Sequence, residues 1–322
     1  MTPIKKSAKS LSLTSSIIAL SISCQYVQAA WDGNGFIAEK IKQRIEQRIT
    51  MQHVQQSTRR IDFDGMQRTY QIYEPASSST IHNLPVVIAL HGGGGNASQM
   101  MKRWQTMAEQ QDFILIAPQG IGANARMGTW NAQGCCGEAM KKKVNDLEFV
   151  QQILKDVSRN TPIDHNKIYM VGFSNGGMLA HQLAISMGSQ LAAVAVVSGA
   201  LFGNETAAKS PVPILMIHGE QDSVVPFHGG MSPTHFVARA QKQSFQSVTY
   251  AMNYWKTNNQ CQGNMLVQKT AMLRIEKGLN CKADVVLYDV TQGQHVWPTV
   301  DHHDEGFDAT QVIWSFFRQY AR

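Results

Sequence analysis

The sequence contains no uninterrupted run of about 20 apolar residues, which is the length that a membrane-spanning helix requires. It also lacks internal repeats and low-complexity linkers. The 322 residues are 43% hydrophobic and 16% charged, a composition typical of a globular protein with one large core. These features predict one main domain and no stable membrane span.

Excess charge of either sign is scarce as well. Three of the 29 Lys and Arg residues fall within the first 29 residues, which hold no Asp or Glu, so the rest of the chain carries an excess of only three positive charges. A nucleic-acid-binding surface normally needs a larger and clustered basic charge. The sharpest basic run, Lys141-Lys142-Lys143, is interpreted as a solvated loop, and no nucleic-acid partner is expected.

The first 29 residues have the three parts of a secretory signal peptide. A basic segment with lysines at positions 5, 6 and 9 precedes a short apolar segment, residues 11–22, which serines interrupt. Val27-Gln28-Ala29 then resembles a cleavage site. We predict cleavage near Ala29 and a secreted protein, either extracellular or periplasmic.

Only five cysteines are present, and Cys24 falls within the predicted signal peptide. It follows Ser-Ile-Ser, an imperfect lipoprotein acceptor pattern, so lipidation is kept as an alternative. The other four cysteines, an even number in an exported chain, suggest disulfides. Cys261 and Cys281 bracket a polar stretch and are predicted to pair. The adjacent Cys135 and Cys136 are left open between a vicinal bridge, free buried thiols and pairing with the other two.

Residues 30–60 form a leader of different character. Within residues 36–56, isoleucines recur at every fourth position among charged and polar residues, which predicts an amphipathic helix. Its narrow apolar stripe and mixed charges favour a helix or flexible leader that docks on the main domain. Attachment to a membrane surface is the alternative.

From residue 61 onwards the apolar pattern is that of a layered α/β domain, residues 61–322. Residues 61–63 and 70–73 flank Asp64-Gly65, a hairpin signal. Short, fully apolar runs follow, separated by helical patterns, and such runs suit parallel strands buried on both faces. We predict strands at residues 86–90, 113–117, 168–171, 193–197, 214–217 and 285–287, and helices at 100–110, 144–157, 176–187, 248–257 and 309–320. The expected architecture is a mostly parallel central sheet with helices on both faces.

A candidate nucleophile lies between one of these strands and the next helix. The motif is Gly172-Phe173-Ser174-Asn175-Gly176. Small flanking residues permit the tight turn from strand to helix that lifts a serine hydroxyl clear of a sheet. The helix N-terminus favours developing negative charge there. We therefore predict Ser174 as a catalytic nucleophile.

A glycine-rich loop, Gly92 to Gly95, follows the predicted strand at residues 86–90. Glycines let main-chain N–H groups approach a substrate oxygen without obstruction, as an oxyanion hole requires. No Lys-Ser or Lys-Thr follows them, so a phosphate-binding loop is disfavoured. The predicted oxyanion donors are the N–H groups of Gly93 and Asn175, with Gly92 as the alternate to Gly93.

The acid and the base are expected later in the chain, in the order Ser, Asp, His. Asp222 follows the strand at residues 214–217 and is preferred over Glu220, because it lies beyond the turn. Asp146 precedes Ser174 at a predicted helix start, where a structural cap is the better interpretation. His295 follows the last predicted strand and is the candidate base. It would take the Ser174 proton while Asp222 fixes its tautomer.

No metal or other cofactor is expected. Residues 301–305, Asp-His-His-Asp-Glu, include ligand-type side chains, but their spacing does not bring them to one face. A solvated loop is therefore the preferred interpretation over a metal site.

Taken together, several motifs resemble the esterase and poly(3-hydroxybutyrate) depolymerase family, which is related to feruloyl and acetylxylan esterases of carbohydrate esterase family 1. The resemblance covers residues 70–322 in order. Its motifs are Leu90-His91-Gly92-Gly93-Gly94-Gly95, Thr129-Trp130-Asn131-Ala132, Cys135-Cys136-Gly137, Gly172-Phe173-Ser174-Asn175-Gly176-Gly177-Met178, His218-Gly219 with Asp222, Val225-Pro226, and Gly293-Gln294-His295-Val296-Trp297-Pro298.

This resemblance implies an α/β-hydrolase fold and ester hydrolysis by Ser174, Asp222 and His295. Trp130 and Trp297 would flank an acyl pocket, with core packing as the alternative for both. The implied substrates are hydroxyalkanoate oligomers or acyl groups attached to polysaccharide. A peptidase, an acyltransferase and a catalytically silent binding protein on the same scaffold remain alternatives.

Overall fold

Six parallel strands form the middle of a ten-stranded sheet in the computed structural model, which describes residues 56–75, 83–124, 127–300 and 306–322. The strand order is β1-β2-β4-β3-β7-β8-β9-β12-β11-β10, with antiparallel pairing at both edges. The predicted signal peptide, Cys24 and the leader as far as residue 55 lie outside the described residues. Among the described residues, no helix is long and apolar enough to cross a membrane.

The strands of this sheet are those in which nearly every residue is apolar, together with shorter polar strands at the edges. Their bounds are β1 Gln56–Phe63, β2 Met66–Tyr73, β3 Leu84–Leu90, β4 Ile114–Pro118, β7 Ile163–Phe173, β8 Ala193–Val197, β9 Ile214–Gly219, β10 Leu266–Lys269, β11 Leu273–Lys277 and β12 Val285–Val290. Strands β5 Ile121–Gly122 and β6 Gly128–Thr129 form a separate small sheet.

Helices connect the strands at the predicted places. In the described residues they are α1 Ala97–Gln111, α2 Gly137–Lys141, α3 Asp146–Asn160, α4 Asn175–Met187, α5 His235–Ala240, α6 Val248–Asn258 and α7 Ala309–Phe317, with a 3₁₀ turn at Gly188–Gln190. Helix α7 starts as predicted, because Asp308 accepts a hydrogen bond from the Gln311 N–H at 3.0 Å.

Apolar side chains alternate between two cores, one on each face of the sheet. On β3, Val86 and Ile88 face the core that is covered by α3, α4 and α6. Val87 and Ala89 face the opposite core, under α1 and α7. A strand buried on both faces has to be apolar at every position, which explains the continuous apolar runs of the sequence. The predicted α/β fold class is confirmed.

The edges of the sheet differ from the expectation in two respects. Strand β1 begins at Gln56, five residues before the boundary predicted at residue 61, so the end of the predicted leader is part of the sheet. Strand β10 was not predicted, because Leu266 and Val267 are nearly half exposed on a polar edge that carries no buried periodicity. The predicted hairpin turn is present, with positive φ at both Asp64 and Gly65.

The described cysteines form two bonded pairs. Cys261, which follows α6, is joined to Cys281, just before β12, and the bond closes the segment that contains β10 and β11. Cys135 is joined to its neighbour Cys136, and the peptide bond between them is cis. Of the three alternatives for this neighbouring pair, the structure has the vicinal bridge.

Candidate active site

The nucleophile candidate occupies a strained turn between β7 and α4. Ser174 has φ of 53° and ψ of −121°, a combination that residues with a side chain rarely adopt. Its N–H donates to the Val197 carbonyl at 2.8 Å, which fixes the turn against β8. Its hydroxyl does not cap the helix, so the oxygen is available for another partner.

Two glycines make this turn possible because they lack a Cβ, which lets neighbouring backbone segments approach closely. A Cβ at Gly172 would collide with the carbonyl of Gly176. A Cβ at Gly176 would in turn collide with the carbonyl groups of Leu90 and His91, at the end of β3. The sequence spacing Gly-x-Ser-x-Gly is therefore explained by backbone contacts on both sides of Ser174.

A chain of hydrogen bonds joins the three residues predicted as the triad. His295 Nε2 lies 2.9 Å from Ser174 Oγ, and His295 Nδ1 lies 2.7 Å from Asp222 Oδ2. Ser174 is 8% exposed and Asp222 is 5% exposed, whereas His295 is partly exposed. The loops after β7, β9 and β12 thus bring together three side chains that are far apart in sequence.

The carboxylate of Asp222 is held as an anion. Its Oδ1 accepts hydrogen bonds from the N–H groups of Val224 at 2.8 Å and Val225 at 2.7 Å. Burial by itself raises the pKa of Asp222, but the hydrogen bond and charge of His295, together with His218 and the Val225 N–H, lower this pKa below its usual value. Glu220, the alternative acid, is exposed to solvent.

A second histidine lies beside the acid and was not predicted. His218, at the end of β9, places Nε2 at 2.8 Å from the Val225 carbonyl and at 3.4 Å from Asp222 Oδ2. Burial lowers the pKa of His218 against the opposing effect of Asp222, which favours a neutral ring that donates its Nε2–H to Val225. The loop that carries Asp222 is therefore held at Val225 by two hydrogen bonds, one from its N–H to Asp222 and one to its carbonyl from His218.

The loops that carry the acid and the base are packed directly on each other. The Gln221 N–H donates to the Gly293 carbonyl at 3.0 Å, and the Glu220 N–H donates to the Val290 carbonyl at 2.9 Å. A Cβ at Gly219 would collide with the backbone of Gly293, so this approach requires glycine. These contacts set the separation of Asp222 and His295.

The loop from Gly92 to Gly95, named the oxyanion loop after its predicted role, is held in place by a buried neutral histidine. His91 Nε2 accepts the Gly120 N–H at 3.0 Å, and its Nδ1 lies 2.8 Å from the Gly92 carbonyl, to which it donates. Burial lowers the pKa of His91 to about 4 despite the hydrogen bond to Gly92. The Gly92 carbonyl also accepts the Gly95 N–H at 3.0 Å, which closes the loop into a tight turn.

The two predicted oxyanion donors lie close together. A Cβ built on Gly93 would be 3.5 Å from the Asn175 Cβ, and one built on Gly92 would be 3.4 Å from the Ser174 Cβ. Among the described residues, the loop N–H groups of Gly94 and Gly95 have carbonyl acceptors, whereas that of Gly93 has none. The N–H of Gly92 likewise has no acceptor among the described residues, so the choice between Gly93 and its alternate Gly92 stays a prediction.

Trp130 has a different location from the one that the family resemblance implied. It is fully buried, so its ring cannot stack on a substrate. Its indole N–H donates to the His91 carbonyl at 2.7 Å. Its main chain is clamped by the Asn175 side chain, which accepts the Trp130 N–H at 2.7 Å and donates to its carbonyl at 3.1 Å. Trp130 therefore links Asn175 to His91, the residue directly before the glycine-rich loop. Of the two interpretations of Trp130, core packing is the one that its location supports.

Trp297 lies in the wall of a cavity of about 640 Å³ beside the oxyanion loop. Its ring is 3% exposed and contacts Phe173 edge-on, with centroids 6.2 Å apart. Phe173 packs in turn against His295 at a centroid distance of 5.1 Å. The indole N–H donates to Thr310 at 3.1 Å. This cavity adjoins the site through Gly92, Gly93 and Phe173.

Asp146 has a structural role, but as an ion-pair partner rather than as the predicted cap. Its Oδ1 accepts from Arg68 at 2.8 Å and its Oδ2 accepts the Asn131 N–H at 2.7 Å, whereas the cap of α3 is the Asn145 side chain. Neither Arg68 nor Asp146 side chain is exposed. In the described parts of the chain, no three His, Cys, Asp or Glu side chains are grouped to hold a metal ion; residues 301–305 lie outside those parts.

A buried carboxylate, a histidine and a serine at the carboxyl ends of parallel strands define the α/β-hydrolase class. Residues 74–260 match the phospholipase/carboxylesterase family. The chain belongs to this family.

Individual relatives are similar over part of the chain. A bifunctional acetylxylan esterase/xylanase from Neocallimastix patriciarum is 31% identical over 50% of this chain and 22% of its own length. Feruloyl esterase B from Piromyces equi is 29% identical over 74% of this chain and 42% of its own length. The chain thus spans less than half of either relative. The solved acetyl xylan esterase from Aspergillus awamori has a TM-score of 0.57 at 13% identity, covering 81% of this chain and 99% of that one, a similarity of fold.

Proposed function

We propose that this protein is a secreted serine carboxylic-ester hydrolase that removes feruloyl or acetyl groups from polysaccharide. The observation that carries the proposal is the continuous hydrogen-bonded chain from Asp222 through His295 to the Ser174 oxygen. The names of the relatives support the polysaccharide-linked acyl group as the substrate class. The Cys261–Cys281 bond and the signal-like N-terminus support export.

In the proposed reaction, His295 Nε2 accepts the Ser174 proton while Ser174 Oγ attacks the ester carbonyl carbon. The carbonyl oxygen becomes an oxyanion between the N–H groups of Gly93 and Asn175. The imidazolium is stabilised by Asp222 and gives its proton to the departing alcohol. Water, deprotonated by the same histidine, then hydrolyses the acyl-enzyme and regenerates the Ser174 hydroxyl.

The first test compares the exported wild-type protein with Ser174→Ala on methyl ferulate, an acetylated xylan and a 3-hydroxybutyrate oligomer. We expect turnover of one of the first two by the wild type and a loss of at least about 10⁴-fold in Ser174→Ala, because the nucleophile is removed. A matched control is Ser158→Ala, on the remote helix α3, which should retain full activity. Intact mass of the exported protein checks cleavage near Ala29.

The other outcomes separate the alternatives. Turnover of the hydroxybutyrate oligomer alone would move the substrate class to hydroxyalkanoates. Cleavage of amide substrates with negligible ester turnover would indicate a peptidase, and transfer of the acyl group to an added alcohol would indicate an acyltransferase. Absence of any turnover, together with failure of a fluorophosphonate probe to label Ser174, would reject the enzyme in favour of a binding protein.

A further inference from the structure

The cavity beside the oxyanion loop has walls of two kinds. On the side of the candidate active site it is lined by Gly92, Gly93, Phe173 and Trp297. Phe173 directly precedes the candidate nucleophile and packs on His295, so this wall adjoins the site where a substrate of Ser174 would bind. Another part of the wall belongs to the exposed side of helix α1, where Lys102 and Arg103 lie.

Arg103, and not the aromatic ring, is the group that a ligand meets at Trp297. The Arg103 guanidinium carbon lies 4.7 Å from the centroid of the Trp297 ring, within the range of a cation–π contact. Arg103 is exposed whereas Trp297 is 3% exposed, so the guanidinium covers the ring and faces the cavity. The aromatic surface, together with a contact from Arg103 Nη1 to Met100 Sδ at 3.9 Å, limits the rotamers of this side chain, which lowers the entropy cost of binding a ligand.

The cavity carries an excess of positive charge. Lys102 and Arg103 line it together with a single carboxylate, Asp308. The Asp308 side chain accepts the N–H of Gln311 at the start of α7, and its charge opposes the lowering of the Arg103 pKa by burial. Within the part of the chain that the structure describes, neither Lys102 nor Arg103 forms an ion pair. Among the described residues that line the cavity, two cations therefore face one carboxylate, which leaves one positive charge in excess.

We propose that this cavity is a subsite for a carboxylate on the ester substrate, bound by Arg103 with Lys102 adding to the local positive potential. A guanidinium presents paired N–H donors that match the two oxygens of a carboxylate. The enzyme would then prefer an acidic ester, such as one attached to a uronic acid or formed from a dicarboxylic acid, over a neutral ester of the same shape. This inference rests on the proposed esterase function.

The test measures a preference, so that the intrinsic reactivity of each ester cancels. Two matched pairs of esters are used: mono-p-nitrophenyl glutarate with p-nitrophenyl pentanoate for an acid on the acyl side, and para-acetoxybenzoate with para-acetoxybenzamide for an acid on the alcohol side. For each pair, the ratio of kcat/KM for the acidic ester to that for the neutral ester is compared between wild type and Arg103→Gln. We expect this ratio to fall about fivefold in Arg103→Gln for one pair, mainly through KM.

Arg318→Gln is the matched control, because Arg318 is an exposed arginine outside this cavity and its loss changes the net charge equally. It should leave both ratios unchanged, while added salt should reduce the wild-type ratio. The pair that responds identifies whether the acid belongs to the acyl or the alcohol part.

Three outcomes overturn the proposal. The first is a ratio that Arg103→Gln leaves unchanged for both pairs while neutral esters are still hydrolysed, which rejects the subsite and leaves the esterase intact. The second is an equal decrease in Arg318→Gln, which assigns the effect to net charge. The third is a lack of turnover of all four esters by the wild type, which rejects the esterase function as well.

Discussion

The two sides of the candidate active site are held together by different physical means. On the acid–base side, defined here as His218, Asp222 and His295, the contacts involve a charge. The Asp222 carboxylate accepts three hydrogen bonds, from two main-chain N–H groups and from His295, lies 3.4 Å from His218 and has a lowered pKa. The oxyanion side, defined as His91, the loop from Gly92 to Gly95, Trp130 and Asn175, is joined by hydrogen bonds between neutral groups.

This difference shows how one site can combine a part that changes its protonation with a part that does not. The acid–base side has to stabilise an imidazolium when it forms, so an anion is kept there in a polar setting. The oxyanion side has to present donors in a fixed geometry, and a pKa of about 4 keeps His91 neutral at ordinary pH. Single substitutions can therefore disrupt each side separately.

The largest expected effect is on the acid–base side. Replacing Asp222 with Asn keeps the shape but removes the charge, and allows the amide to impose the wrong tautomer on His295. We expect kcat to fall by about 10⁴-fold, as loss of the triad carboxylate does in serine hydrolases of known mechanism. The measurement is kcat for an activated ester in the variant and the wild type.

Glu220→Gln provides the control, because it removes the same charge two residues away on an exposed side chain. It should leave kcat unchanged. A comparable loss in both variants would show that the charge of the loop matters rather than the hydrogen bond from Asp222 to His295, and the assignment of the acid would then be wrong.

The sequence predicted the acid–base side better than the oxyanion side, for a physical reason. Ser174, Asp222 and His295 each follow a strand that contains a short apolar run, so their places come from local patterns that a sequence displays. The same patterns predicted the central strands and the main helices. Strand β10 was missed because all its residues are exposed and it carries no buried apolar face. Strand β11 was missed as well, although Leu273 and Ile275 alternate there with charged residues.

The hydrogen bonds that stabilise the oxyanion side instead join segments that are distant in the sequence. Trp130 bonds to His91, 39 residues earlier, and to Asn175, 45 residues later. No local pattern records such a contact, and a tryptophan beside a glycine-rich motif fits a pocket wall as well as a core. The one available signal for His91 was its position at the end of β3, directly before the glycines.

A smaller effect is expected on the oxyanion side from Trp130→Phe. This variant keeps an aromatic ring but removes the N–H that bonds to the His91 carbonyl, leaving a buried acceptor without its donor. Such a loss costs about 1–3 kcal/mol of unfolding free energy. Because the bond also positions the oxyanion loop, we expect kcat to fall about tenfold, with KM nearly unchanged.

Trp255→Phe is a matched control for this prediction. The Trp255 indole N–H donates at 3.1 Å to His181, and Trp255 is as fully buried as Trp130, but it packs on α4 away from the oxyanion loop. Its replacement should lower the free energy of unfolding similarly and leave kcat unchanged. Equal losses of kcat in both variants would show that Trp130 contributes only to stability.

The smallest effect concerns the pH dependence of stability. The buried His91 has a pKa of about 4, so it takes up a proton at a lower pH than the same histidine in the unfolded chain, whose pKa is about 6.5. The unfolded state therefore binds more protons between these values. The contribution of His91 to stability is complete above about pH 6.5 and is lost as the pH falls towards about 4.

This loss approaches about 1.4 kcal/mol per pH unit for one histidine in that window. Burial also lowers the pKa of His181, to about 3, so the His91→Gln variant retains part of the slope of stability against pH. We expect urea unfolding between pH 5 and pH 7 to give a smaller slope for His91→Gln than for the wild type, by up to that amount. Equal slopes would mean that folding does not lower the pKa of His91, and the oxyanion side would then contain a group that gains charge as the pH falls below about 6.5.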